Sequence, residues 1–140
     1  MAVNTRFATG VHALVLLAVE PEVLQTSEDV ARKLNTNPVV IRRVFSLLQA
    51  AELVESQKGP NGGSRLARPA KEISLSQVYK ALGSDELFHA ASFSGPHVAK
   101  VSSVLGEVFK DAESALKDEL SKISLSSLVK KILKKSKHGE

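Results

Sequence analysis

The sequence contains no cysteine. That absence excludes disulfides, thiolate zinc sites, cysteine-held iron–sulfur clusters and thiol-based redox switching in the chain as it stands. Nor is any apolar run long enough to span a bilayer: Val11 to Val19 is too short, His12 interrupts it, and no small-residue cleavage pattern follows. A cytoplasmic protein with no membrane partner is the expectation. Catalytic signatures are missing as well. With no nucleophile motif, no Walker or dinucleotide-binding loop and no acidic metal cluster, the chain reads as a non-enzyme that needs no cofactor.

What remains is enough to fold. The chain has 140 residues, 43% of them hydrophobic, and a mean hydropathy of −0.02, which suits one compact domain with a helical appendage. Its formal net charge is +4, and the location of that excess says more than its size. From Ser27 to Lys71 there are eight basic residues (Arg32, Lys33, Arg42, Arg43, Lys58, Arg65, Arg68 and Lys71) against four acidic ones (Glu28, Asp29, Glu52 and Glu55). The rest of the chain is balanced, so the whole excess sits in one segment.

That segment and the residues ahead of it have recognisable local structure. Asn4 and Thr5 are plausible caps for a first helix, in which Phe7, Val11, Leu14, Val15 and Ala18 recur at helical spacing until Glu20-Pro21. Thr26 and Asp29 form a capping-box pattern ahead of Val30, Ala31 and Leu34, the stripe of a short second helix. Asn35-Thr36-Asn37 is turn chemistry, with Asn37 suited to cap and Pro38 suited to open a third helix. There Ile41, Val44, Phe45, Leu47 and Leu48 supply a buried face, while Arg42, Arg43 and Ser46 point away from it. Leu53 to Gln57 alternates as a strand, Lys58-Gly59-Pro60-Asn61-Gly62-Gly63 is a hairpin loop, and Ser64 to Ala67 is the return strand. Two short helices around a tight turn followed by such a ribbon make a winged helix-turn-helix.

Residues Val39, Arg42 and Arg43 occupy the first turns of the third helix, the end that enters the major groove in helix-turn-helix proteins. Arginine can bond guanine O6 and N7 in a bidentate manner, and Val39 can touch a thymine methyl. Lys58 adjoins the glycine-rich loop tip, where Asn61 and Gly62 lie, and is suited to probe phosphates or the minor groove. Paired arginines on a solvated helix and an ordinary surface hairpin are the plainer alternatives. The cap, turn and wing together favour contact with double-stranded DNA.

After Pro69 the pattern is helical again. Ser74 caps a fourth helix carrying Val78, Tyr79 and Leu82 up to Gly83. Ser84 to Pro96 is irregular but apolar in part. From His97, Val98, Val101, Leu105, Val108 and Ala112 step by alternating threes and fours, and Leu116, Leu120 and Ile123 continue the stripe by steps of four, four and three, predicting one long helix. Ser124 caps a last amphipathic helix ending in Lys134-Lys135-Ser136-Lys137. A long helix with such a stripe calls for a second copy to cover it, so Val98, Val101, Leu105, Val108 and Ala112 are the candidate homodimer interface. The alternative is that the last helix folds back over the stripe.

The run from Leu53 to Ala67, with Lys58-Gly59-Pro60-Asn61-Gly62-Gly63 at its centre, followed by Ile73-Ser74-Leu75, resembles the Rrf2 family of bacterial winged-helix transcriptional regulators, the IscR, CymR, NsrR and YwnA group. Asn35 to Arg43 is most similar to its YwnA-like, cysteine-free branch. The resemblance implies that Val39, Arg42 and Arg43 are base-facing, that Lys58 is the basic wing residue entering the minor groove, and that the long helix builds a homodimer. Two residues depart from the family pattern: Glu52 stands where glycine is frequent, and Ser64 where an aromatic commonly follows the glycine pair. The cluster-ligating cysteines are missing from Ser84 to Lys100, so that branch of function does not carry over.

The expected architecture is therefore mainly α with a small β wing: residues 1–83 form a winged helix-turn-helix, and residues 84–140 form a linker, a long dimerisation helix and a terminal amphipathic helix. The expected function is that of a sequence-specific DNA-binding transcriptional regulator, a repressor acting as a homodimer on an inverted-repeat operator. A winged-helix module that binds protein partners is the alternative. His89 and His97 could hold a metal, but two histidines with no cysteine or clear carboxylate partner favour ordinary structural histidines and no metal site. Leu87, Phe88 and Phe93 could line a pocket for a small-molecule effector, with plain core the favoured reading.

Overall fold

The computed structural model describes residues 3–83 and 95–138. Helix α1 spans Val3–Val19, α2 Ser27–Leu34 and α3 Pro38–Ala50; strands β1 (Val54–Gln57) and β2 (Gly63–Leu66) follow, then a 3₁₀ turn at Ala70–Glu72, α4 (Leu75–Leu82), α5 (Pro96–Ser121) and α6 (Leu125–His138). Short-range hydrogen bonds fix most of the helix starts. The Thr26 hydroxyl accepts the Asp29 N–H at 3.0 Å while the Asp29 carboxylate accepts the Thr26 N–H at 3.1 Å, and Ser74 and Gln77 do the same for α4. Backbone donation by Thr26, ahead of its hydroxyl's contribution, holds the Asp29 carboxyl below its ordinary range.

The strands pair antiparallel in the register Val54↔Leu66, Glu55↔Arg65, Ser56↔Ser64 and Gln57↔Gly63. Each begins one residue away from its expected start. Leu53 is used instead to close α3, its N–H bonding the Leu48 carbonyl at 2.9 Å. This closure puts Glu52 at φ 61°, the left-handed conformation that makes glycine the usual residue here.

One core joins these elements. Leu14 and Leu17 of α1, Val30 of α2, Ile41, Val44 and Leu48 of α3, Val54 of β1, Val78 and Leu82 of α4 and Leu125 of α6 are all buried in it. Tyr79 sits edge-on to Phe7 with ring centroids 5.6 Å apart. The entries to α4 and α6 are also tied by backbone: the Leu75 N–H bonds the Ile123 carbonyl and the Leu125 N–H bonds the Ile73 carbonyl. The last helix therefore packs on α1 and the 3₁₀ turn rather than over the apolar stripe of α5.

Candidate nucleic-acid interface

The first turns of α3 form an exposed, ordered platform. Asn37 accepts the Val39 N–H at 2.8 Å, and Pro38 supplies a preset helical φ with no N–H to satisfy. Val39, Arg42 and Arg43, at i, i+3 and i+4, share one helix face and are all exposed, whereas Ile41, Val44, Phe45 and Leu48 are buried. A valine 53% exposed on a capped helix end contributes nothing to the core and is free to contact a base methyl.

The two arginines differ in their surroundings. The Arg42 guanidinium donates through Nη2 to Glu28 Oε1 of α2 at 3.0 Å, across the turn. That hydrogen bond holds the Glu28 carboxyl below the usual carboxylate range. Arg43 makes no ion pair among the described residues, and neither does Lys58. Arg32 and Arg65 are paired, with Asp29 at 2.9 Å and Glu55 at 2.7 Å.

In the wing, Lys58 and Asn61 are exposed and Gly62 is half-buried. A Cβ on Gly62 would collide with the Gln57 carbonyl, so the absence of a side chain there is what lets the hairpin close. Gln25, just before α2, docks on β2: its N–H and carbonyl exchange bonds with Ser64 at 3.0 and 2.8 Å. Its buried side chain donates to the Leu16 carbonyl and accepts from Lys33 Nζ, both at 2.9 Å. Ser64 itself is buried and shares a hydrogen bond with Ser56 at 2.9 Å, so a small polar pair occupies the place of an aromatic. Sequence reasoning missed Gln25 and Glu28. Neither carries a local signal, because their partners lie far along the chain.

Helix α5 divides into two halves. Glu113, Leu116, Lys117 and Leu120 are half-buried on the side that meets α4, while Pro96 to Ala112 is exposed except for a half-buried Val98. Of the candidate interface residues, Val101, Leu105 and Val108 are exposed at 57%, 43% and 53%. Val104 and Phe109, which the stripe by spacing omitted, extend this exposed apolar face. Lys130, Lys131, Lys134 and Lys135 are exposed along α6.

Leu87, Phe88, His89 and Phe93 lie outside the described residues. His97 is exposed, and among the described residues no three His, Asp or Glu side chains are grouped to hold a metal ion. Without a cysteine anywhere in the chain, the donor set does not fit a thiolate-held iron centre. No helix among the described residues is long and apolar enough to cross a membrane.

The family model Rrf2, described as "Iron-dependent Transcriptional regulator", matches residues 3–131. YwnA of Bacillus subtilis strain 168, assigned by name to the helix-turn-helix transcriptional regulators, is 35% identical over 131 residues, covering 91% of this chain and 96% of the relative. Two solved structures share the fold. IscR of T. potens has a TM-score of 0.70 at 22% identity, covering 94% of this chain and 88% of that one. CymR of B. subtilis has a TM-score of 0.70 at 20% identity, covering 93% and 97%. The platform, the wing and these likenesses agree: the chain belongs to the Rrf2 family of winged-helix, DNA-binding transcriptional regulators, and it is not an enzyme.

Proposed function

We propose that the protein is a cytoplasmic repressor that binds an inverted-repeat operator as a homodimer. Each protomer lays the first turns of α3 in the major groove, with Val39, Arg42 and Arg43 at base edges, and sets Lys58, Asn61 and Gly62 of the wing against the backbone or minor groove. The observation that carries this reading is the exposed Val39–Arg42–Arg43 face on a capped helix whose opposite face is core. Pairing two such modules lengthens the site read and raises effective concentration. The uncovered half of α5, with Val98, Val101, Leu105, Val108 and Ala112 on one face, supports a two-fold interface. Residues 1–83 then serve as the DNA-reading part and residues 84–140 as the assembling part. Occupancy of a promoter by this dimer represses by exclusion.

Selection from random duplexes with the full-length protein tests the reading. Enrichment of an inverted repeat with half-sites about one helical turn apart, a complex holding two protein chains, binding that weakens steeply with salt, and repression of a promoter bearing that repeat are the expected results. No enriched sequence, together with salt-insensitive docking on protein partners, favours an interaction module instead.

A further inference from the structure

Arg42 and Arg43 are adjacent on the same exposed face, yet Arg42 is held by a carboxylate and Arg43 is not. The partner comes from α2, so the contact spans the turn that defines the motif. Its geometry leaves most of Arg42 unspent: one N–H bonds Glu28 Oε1 at 3.0 Å, and a guanidinium carries five donors in a rigid fork. The side chains of both partners remain more than half exposed, at 55% and 59%.

We propose that Glu28 is a positioning residue for DNA recognition, holding Arg42 so that its remaining N–H groups meet a base edge while the paired carboxylate denies that guanidinium to phosphates. The inference rests on the DNA-binding reading above. Phosphate contacts ask only for a positive charge within reach, whereas base readout asks for a fork in a fixed orientation. A carboxylate beside Arg42 changes both requirements in one direction. It cancels the charge of the pair, so docking releases fewer counterions, and it limits the rotamers available to a long side chain. The neighbouring acid on α2, Asp29, is already engaged with Arg32 and with the cap of its own helix, which leaves Glu28 as the one that meets α3. Sequence-independent affinity then falls mainly to Lys58 of the wing, and Arg42 is kept for discrimination.

The test uses the full-length protein, the operator selected by the wild type, and a random duplex of equal length. Glu28→Gln keeps the shape and removes the charge; because the site is exposed, the variant is expected to melt at the wild-type temperature. Its affinity for random DNA should rise and its salt slope steepen by about 0.9, the value of one phosphate. The ratio of operator to random affinity should fall about tenfold, within the worth of one bidentate base contact. In an Arg42→Ala background the same change should leave the ratio unaltered. A selective wild type whose Glu28→Gln variant keeps slope and ratio overturns the proposal, and so does an effect that persists without Arg42, since Glu28 would then repel DNA by itself. A wild type that enriches no sequence defeats the DNA-binding reading and this inference together.

Discussion

Replacing Leu105 by glutamate should split the proposed dimer, and the structure sets the size of the effect. Val101, Val104, Leu105 and Val108 are between 43% and 61% exposed. Full burial of such side chains stabilises by about 1.5–3 kcal/mol each, so covering the exposed half of each contributes about 1 kcal/mol. Two-fold symmetry counts every contact twice, giving about 8 kcal/mol gross from these four positions, the same order as the estimated 4–15 kcal/mol cost of association. The interface is therefore sensitive to one residue. Leu105→Glu removes about 1 kcal/mol of burial per protomer and places a carboxylate in each half of an apolar seam, whose desolvation costs at least as much again. A loss of about 4 kcal/mol raises the dimer dissociation constant roughly a thousandfold. Sedimentation equilibrium from submicromolar to high micromolar concentration reads this directly. Lys110→Ala, on the opposite side of the helix, is the control and should leave the constant unchanged. A Leu105→Glu protein that dimerises like the wild type, or a wild type that is monomeric at micromolar concentration, refutes the reasoning.

Arg43→Ala should weaken operator binding by about 1–3 kcal/mol and relax selectivity at one base pair if it reads guanine; equal losses on operator and random duplex reduce it to a phosphate contact. Lys58→Ala should flatten the salt slope by about one unit, and an unchanged slope in a titration series means that the wing stays off the DNA. Glu52→Gly should raise the unfolding free energy by about 0.5–1 kcal/mol, because a non-glycine residue at φ 61° costs about 1–2 kcal/mol of backbone strain, only part of which glycine's greater unfolded entropy offsets. Denaturant melts that place Glu52→Gly below the wild type would show that the strain is relaxed elsewhere.

Features with causes within a few residues were legible in the sequence. Thr26 with Asp29, Asn37 with Pro38, and Ser74 each announce a helix start through hydrogen bonds that close within three residues. The hairpin loop was legible because Gly62 has a local reason to lack a side chain. What failed depended on distant partners. Gln25 reads as one polar residue in a polar stretch, and only the approach of β2 explains its burial. Arg42 reads as a free cation until α2 brings Glu28 beside it. The long helix was misread in its second half for a related reason. Leu116 and Leu120 continue the spacing of the Val101–Ala112 stripe, but at 3.6 residues per turn they rotate progressively away from its centre, by roughly 50° and 90°, and they are half-buried where the helix meets the molecule's own α4 while the stripe is exposed.

That rotation bears on how assembly and DNA reading are linked. The second half of α5 packs on α4, and the Ile73–Leu125 and Leu75–Ile123 backbone bonds stitch the junction of α5 with α6 to the entry of α4, with Leu125 of α6 lying in the shared core. The same core holds Ile41, Val44 and Leu48, the inner face of the helix that presents Val39, Arg42 and Arg43. On the wing side, Gln25 ties β2 to the Leu16 carbonyl of α1. Both the arm and the wing are therefore anchored on α1 and its neighbours through buried contacts and paired backbone groups rather than through exposed side chains. Close-packed cores transmit displacement instead of absorbing it. In the proposed dimer, a change at the α5 seam would accordingly move each recognition helix as a body with its own core, and the separation of the two helices would follow from where the two arms cross.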